Sequence, residues 1–234
     1  MDQPPQELAI RIGDGPSVSA LLLVPAQPSA CLVLAHGAGA GMSHPFMATL
    51  AAGLHRRGVA SLRYQFPYME QGSRRPDRPE LAQRTVRAAV SEAGARFPGY
   101  PLFAGGKSFG GRMTSLAQAA SPLPEVRGLV FIGFPLHPAG KPSRERAGHL
   151  FDVHVPMLFL QGTKDALADQ TLIAKVTDEL AGRARLLLFP DADHSFHVPA
   201  RSGRTDAGVR DVLLDAVVDW MASMNGTASH PGPK

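Results

Sequence analysis

A single cysteine, Cys31, stands among 234 residues, so no intrachain disulfide can form. It sits in the apolar run CLVL, where a free thiol acts as a small hydrophobe, and a reducing compartment is the expectation. No run approaches the roughly 18 apolar residues of a membrane helix. The opening MDQPPQELAI carries acidic residues and prolines where a secretory signal would carry basic residues and an apolar stretch. These absences predict a cytoplasmic location and no membrane partner. Blocks of like charge are also missing: Lys+Arg 24 against Asp+Glu 20 leaves +4, mostly arginine and scattered, so no nucleic-acid partner is expected.

What the chain does have is 44% hydrophobic residues, enough for one sizeable core. Segments 7–12 and 18–24, separated by Gly13, Asp14, Gly15 and Pro16, read as strands joined by a tight turn. Short apolar runs then alternate with helical periodicity. Strands are predicted at 30–36, 59–64, 101–106, 126–133, 155–162 and 184–190, and helices near 44–57, 79–96, 110–120, 168–181 and from 206. Leu81, Val86 and Val90 are expected to face inward in the second helix, and Val209, Val212, Leu213, Ala216, Val217 and Trp220 in the last. The pattern predicts about eight strands in a mostly parallel sheet with helices on both faces, as one domain over 1–224. The polar stretch 225–234 has nothing to bury and is expected to be a disordered tail.

In such sheets chemistry gathers beyond the carboxyl ends of the strands. Gly106-Lys107-Ser108-Phe109-Gly110 falls there, directly after a strand and before a helix. Glycines two before and two after a serine permit the sharp turn that lifts its hydroxyl above the sheet. The plainer alternative is a glycine-rich loop with Ser108 as a helix cap. A phosphate-binding loop is excluded because Pro101 occupies the position of its first glycine, and Gly37 to Gly41 fails the dinucleotide pattern because Met42 replaces the third glycine.

A serine hydroxyl needs a base, an acid to orient that base, and donors for the oxyanion. The chain order serine, acid, histidine is met by Ser108, Asp165 and His194, the last two each following a strand. Asp169, Asp191 and Asp193 compete for the acid and His197 for the base, and each candidate could be no more than a turn residue. The backbone N–H groups of Phe109 and Ala38 are the expected oxyanion donors. His36 is read as fixing the Ala38 loop by hydrogen bonding rather than as a second base.

The segments HGAGAGMSHPFM, LRYQFPYM, GGKSFGGRM, GFPLHPAGKP, LFLQGTKD and DADHSF, spread in order over about 30–222, resemble the α/β-hydrolase family that includes testis-expressed protein 30 and subunit 3 of the mammalian NSL histone acetyltransferase complex. Its bacterial members are described as dienelactone-hydrolase-like. The resemblance implies an α/β-hydrolase fold with Ser108, Asp165 and His194 as triad and Ala38 and Phe109 as oxyanion donors. Dienelactone hydrolases use a cysteine nucleophile, so serine at 108 means that lactone specificity does not carry over. Nor does the chromatin setting of the mammalian subunit.

Only 135–154 separates the sixth and seventh strands, room for a loop or short helix but not for a cap domain. The other wall of the site is expected from Gln65 to Arg78. His36, Tyr68, Arg74 and Arg75 are candidate substrate contacts, and Arg78, Lys141 and Arg144 extend a basic rim that would favour an anionic acyl group; solvated or ion-paired surface charge is the alternative. The expected activity is hydrolysis of a small-molecule carboxylic ester or thioester, with no metal and no cofactor. The rival reading is a catalytically idle scaffold.

Overall fold

The computed structural model describes residues 4–224, so the expected tail at 225–234 lies outside the described residues. Strands β1 (Gln6–Arg11) and β2 (Ser17–Leu23) form the antiparallel start. They are followed by β3 (Ala30–Ala35), α1 (Pro45–Arg56), β4 (Val59–Tyr64), the one-turn α2 (Pro67–Glu70), α3 (Pro79–Arg96), β5 (Leu102–Lys107), α4 (Phe109–Ala120) and β6 (Val126–Ile132). A 3-10 segment, Glu145–Asp152, precedes β7 (Met157–Gly162), α5 (Gln170–Glu179), β8 (Ala184–Phe189) and α6 (Asp206–Ser223). One sheet holds all eight strands in the order β1-β2-β4-β3-β5-β6-β7-β8, parallel from β4 onward.

Continuous apolar runs occupy the middle because both faces of the sheet are covered. Every residue of β3, β4 and β7 is buried. Helices α3, α4 and α5 pack one face through Val86, Val90, Met113, Ala117, Ile173 and Val176. Helices α1 and α6 pack the other through Met47, Leu50, Leu54, Leu213 and Val217, with Trp220 against Phe103 at a ring separation of 5.8 Å. The link from β6 to β7 contains only the 3-10 segment, so among the described residues no cap domain covers the carboxyl ends of the strands.

Element ends move by one or two residues for local reasons. Strand β7 begins after Pro156, which has no N–H to give to the ladder although its carbonyl accepts from Leu129 N at 2.9 Å. Helix α5 starts only after Asp169, whose carboxylate accepts from Leu172 N at 2.9 Å as N-cap, and ends before Ala181 at φ 52°. Two inward assignments change. In α3 the buried face runs through Ala82, Thr85, Val86, Ala89, Val90 and Ala93, leaving Leu81 half-buried. In α6 Val212 is 60% exposed while Leu214 is buried, because Leu213 and Leu214 together centre the face that meets α1. No helix among the described residues is long and apolar enough to cross a membrane.

This rotation of α6 is testable by urea unfolding. Leu213→Ala should lower stability by about 3 kcal/mol and Val212→Ser by less than about 0.5 kcal/mol; equal losses would contradict it.

Candidate active site

Strand β5 ends in a turn that places Ser108 at φ 49°, ψ −116°, a conformation that non-glycine residues adopt only under constraint. The constraint is backbone proximity. A Cβ on Gly106 would lie 2.3 Å from the Ala35 carbonyl oxygen, and one on Gly110 2.5 Å from that of His36. The elbow therefore seats directly against the end of β3, which only glycine permits. Ser108 is held from the other side by its N–H donating to Ile132 O at 3.1 Å.

Asp165 and His194 come to this serine from the loops after β7 and β8. Ser108 Oγ lies 2.8 Å from His194 Nε2, and His194 Nδ1 lies 2.7 Å from Asp165 Oδ2. The Asp165 side chain is fully enclosed, and Leu167 N donates to Oδ1 at 2.8 Å while Gln161 Nε2 donates to Oδ2. Fixed donors on both oxygens hold the carboxylate in one orientation, so it in turn fixes the imidazole with Nδ1 protonated and Nε2 free to accept from Ser108. The two loops are knitted together: Lys164 N donates to Ala192 O at 2.9 Å and Asp191 N to Thr163 Oγ1 at 2.9 Å.

Two of the competing carboxylates and the competing histidine are occupied elsewhere, and the third, Asp191, is exposed. Asp169 caps α5, and Asp193 Oδ1 accepts from Ser195 N at 2.7 Å and His197 N at 3.0 Å, ordering the histidine's own loop. Exposed His197 pairs with Asp206 at 2.9 Å.

The loop after β3 is braced from β4 and α2. Tyr68 Oη accepts from Gly39 N at 3.0 Å, Gln65 Oε1 accepts from Met42 N at 2.8 Å, and buried Arg63 donates to Met42 O at 2.9 Å. His36 donates from Nδ1 to Gly37 O at 2.8 Å and accepts at Nε2 from Phe66 N at 3.1 Å. Burial pushes the His36 pKa down to about 4, so the ring stays neutral as that bonding requires. The Ala38 and Phe109 N–H groups donate to no acceptor among the described residues, which leaves both free for an incoming oxygen.

A cleft of about 430 Å³ opens above Ser108 and His194, bounded by Ala38 and Ala40, by Phe46 and Met47 of α1, and by Leu167. None of the four expected substrate contacts lines it. His36 and Tyr68 are buried, at 0% and 2% exposure, because their polar atoms serve the loop braces. Arg74 and Arg75 are exposed and do not line the cleft; between them and α3, Asp77 accepts from Tyr68 N at 3.1 Å. The basic rim dissolves likewise: Arg78 and Lys141 are exposed, and Arg144 pairs with Glu179. The sequence reading passed over Lys107, whose stem lines the cleft, and the apolar wall of Phe46, Met47 and Leu167. The wall was legible in principle as apolar residues next to strand ends, but apolar residues there are equally suited to a core.

A second serine–histidine contact, Ser115 Oγ to His149 Nε2 at 2.7 Å, has different chemistry. Ser115 donates its own proton to Arg112 O at 2.9 Å, so the histidine must be the donor. No carboxylate bonds its other nitrogen, and burial with the charge of Arg112 lowers its pKa to about 4. This pair pins α4 to the 3-10 segment.

A glycine-flanked elbow on a mostly parallel sheet, met by an acid and a histidine from the next strand ends and open to solvent without a cap, defines the class of lidless α/β hydrolases. The chain belongs to the α/β-hydrolase domain family, whose model matches residues 28–222. Its backbone is similar to a dienelactone hydrolase from Anabaena variabilis, at 20% identity, 94% coverage of this chain, 99% of that one and a TM-score of 0.75. An α/β serine hydrolase without lid from Xanthomonas campestris is 23% identical over 94% of this chain and 96% of that one, with a TM-score of 0.72. Est1E from Butyrivibrio proteoclasticus is 14% identical, covering 94% and 99%, with a TM-score of 0.70. At these identities the three show a shared fold.

The loop braces generate a prediction. Tyr68→Phe deletes the acceptor for Gly39 N–H, so the reaction of Ser108 with a fluorophosphonate should slow about tenfold, the loss expected for one hydrogen bond. The thermal midpoint should stay within a few degrees. An unchanged rate would show that the Ala38 loop does not depend on this brace.

Proposed function

We propose that this chain is a serine hydrolase of carboxylic esters or thioesters, working as one α/β-hydrolase domain. The observation that carries the reading is the unbroken relay from Ser108 Oγ through His194 to enclosed Asp165, at 2.8 and 2.7 Å. His194 takes the serine proton as Oγ attacks the acyl carbonyl, and Asp165 stabilises the imidazolium that forms. The Ala38 and Phe109 amides receive the tetrahedral oxyanion. His194 then protonates the leaving alcohol or thiol, and water admitted through the open cleft repeats the sequence to release the acid. The dienelactone hydrolase and serine hydrolase names among the structural neighbours agree with acyl chemistry. Cysteine-dependent lactone opening is not part of the proposal, since Cys31 is wholly buried and its thiol is pushed up to about 12.

The apolar cleft wall favours a small acyl group of hydrocarbon character, and the placement of Arg74 and Arg75 removes the basis for selecting an anion through them. A scaffold has no use for saturated donors on Asp165 or unspent amides at 38 and 109, and this arrangement favours an enzyme. Within the family we place the chain beside testis-expressed protein 30, on the motifs quoted above, and in a reducing cytoplasmic setting, on its lone buried thiol.

Turnover of matched p-nitrophenyl esters and acyl thioesters tests the reading. Ser108→Ala should lower kcat/KM by at least about a thousandfold. Arg74→Ala and Arg75→Ala should leave the ratio between neutral and anionic esters unchanged. Hydrolysis surviving in Ser108→Ala would overturn the mechanism, and a shifted ratio would restore the arginines to the substrate.

A further inference from the structure

The variable position of the elbow holds a lysine whose charge has been drawn inside the protein. Lys107 crosses the top of β5 from one neighbouring strand to the other. Its Cγ lies 3.5 Å from the point where a Gly37 side chain would begin, and its Nζ lies 3.1 Å from the corresponding point on Gly133. The same Gly133 point is 3.4 Å from Cε1 and Nδ1 of His194, so the ammonium and the imidazole edge flank one spot at the end of β6. Nζ is shut off from solvent and has no hydrogen-bond acceptor among the described residues. A buried ammonium without a partner costs stability, so an effect on the neighbouring chemistry is the natural place to look for its use.

We propose that Lys107 is a positioning residue for the hydrolytic reaction, its buried ammonium biasing His194 toward the neutral, proton-accepting form. This rests on the serine-hydrolase reading of the same site. The charged and titratable groups around His194 are Asp165 from the loop after β7, Asp193 from its own loop, Lys107 from β5, and His44 across the cleft. Two of these are carboxylates, which favour the imidazolium. An ammonium within reach of the ring opposes the imidazolium that they favour. Asp165 keeps its orienting bond while part of its field is balanced. The lysine's own response agrees: burial lowers its pKa to about 8 against the opposing pull of Asp165 and Asp193, so it keeps most of its charge at neutral pH. Burial of its end also explains why it is not simply a substrate contact, since only the stem faces the cleft.

The test is the pH dependence of Ser108 phosphonylation by a fluorophosphonate, in wild type, Lys107→Met, Lys107→Gln and Lys107→Arg. Removing the charge should move the acid limb of the rate profile upward by about two pH units, the size expected for two charges about 6 Å apart at an effective dielectric near 20. Lys107→Arg should restore the wild-type limb, which a packing role alone would not do. Lys107→Met should also raise the thermal midpoint at pH 7, because an apolar side chain replaces an unpartnered charge, so the variant is expected to fold. A limb unmoved in both neutral variants, or not restored by arginine, overturns the role of Lys107 and leaves the hydrolase reading intact. Wild-type protein that fails to label at any pH overturns the hydrolase reading itself.

Discussion

The active centre depends on the contact between the elbow of β5 and the end of β3, where backbone meets backbone with no side chain between. Gly106 against Ala35 and Gly110 against His36 bring two chain segments closer than any Cβ allows. That approach fixes the strained conformation of Ser108 and sets its amide-bearing helix N-terminus beside the Ala38 loop. Ser108 and the amides proposed to receive the oxyanion are thus brought together at one contact between adjacent parallel strands. Strain at Ser108 is tolerable because the sheet and α4 determine the backbone on both sides of it.

Around this contact the polar groups are arranged to be fully used or deliberately free. Asp165 has donors on both oxygens, His36 spends both ring nitrogens on the loop it anchors, and Arg63, Gln65 and Tyr68 hold the rest of that loop. Among the described residues, the donors left without a partner here include the amides at 38 and 109, the ammonium of Lys107 and Nε of Arg63. Free donors at such a site are suited to stabilising charge that develops during a reaction. The open cleft follows from the short link between β6 and β7, which brings apolar side chains from α1 and the Asp165 loop to the rim instead of a cap.

Much of this was legible in the sequence because the relevant signals are local. Glycine spacing about Ser108 marks an elbow, and a residue just past an apolar run must emerge at one edge of a parallel sheet, where the structure brings Asp165 and His194 to Ser108. The fold was legible for the same reason, since continuous apolar runs alternating with helical periods admit few architectures. What could not be read depends on contacts distant in sequence. Arg74 and Arg75 follow a strand end as substrate-binding residues often do, but in the folded chain they are exposed and outside the cleft lining. Tyr68 is expected at the substrate from sequence but lies buried behind the Ala38 loop, because only the folded loop reveals Gly39 as its partner. Val212 fits an apolar stripe by spacing, yet α6 rotates to seat Leu213 and Leu214 on α1. Lys107 stood inside the motif and was passed over, because the elbow pattern leaves that position undefined and says nothing about where its side chain goes.

The central claim is that one serine, raised by a glycine-bounded elbow, is activated by the His194–Asp165 pair. Peptide mapping of the stable fluorophosphonate adduct tests it most directly. The account predicts one adduct per chain, carried by the peptide that contains Ser108 and lost in His194→Ala. An adduct on Ser115, or one on Ser108 that forms at the same rate without His194, would contradict it.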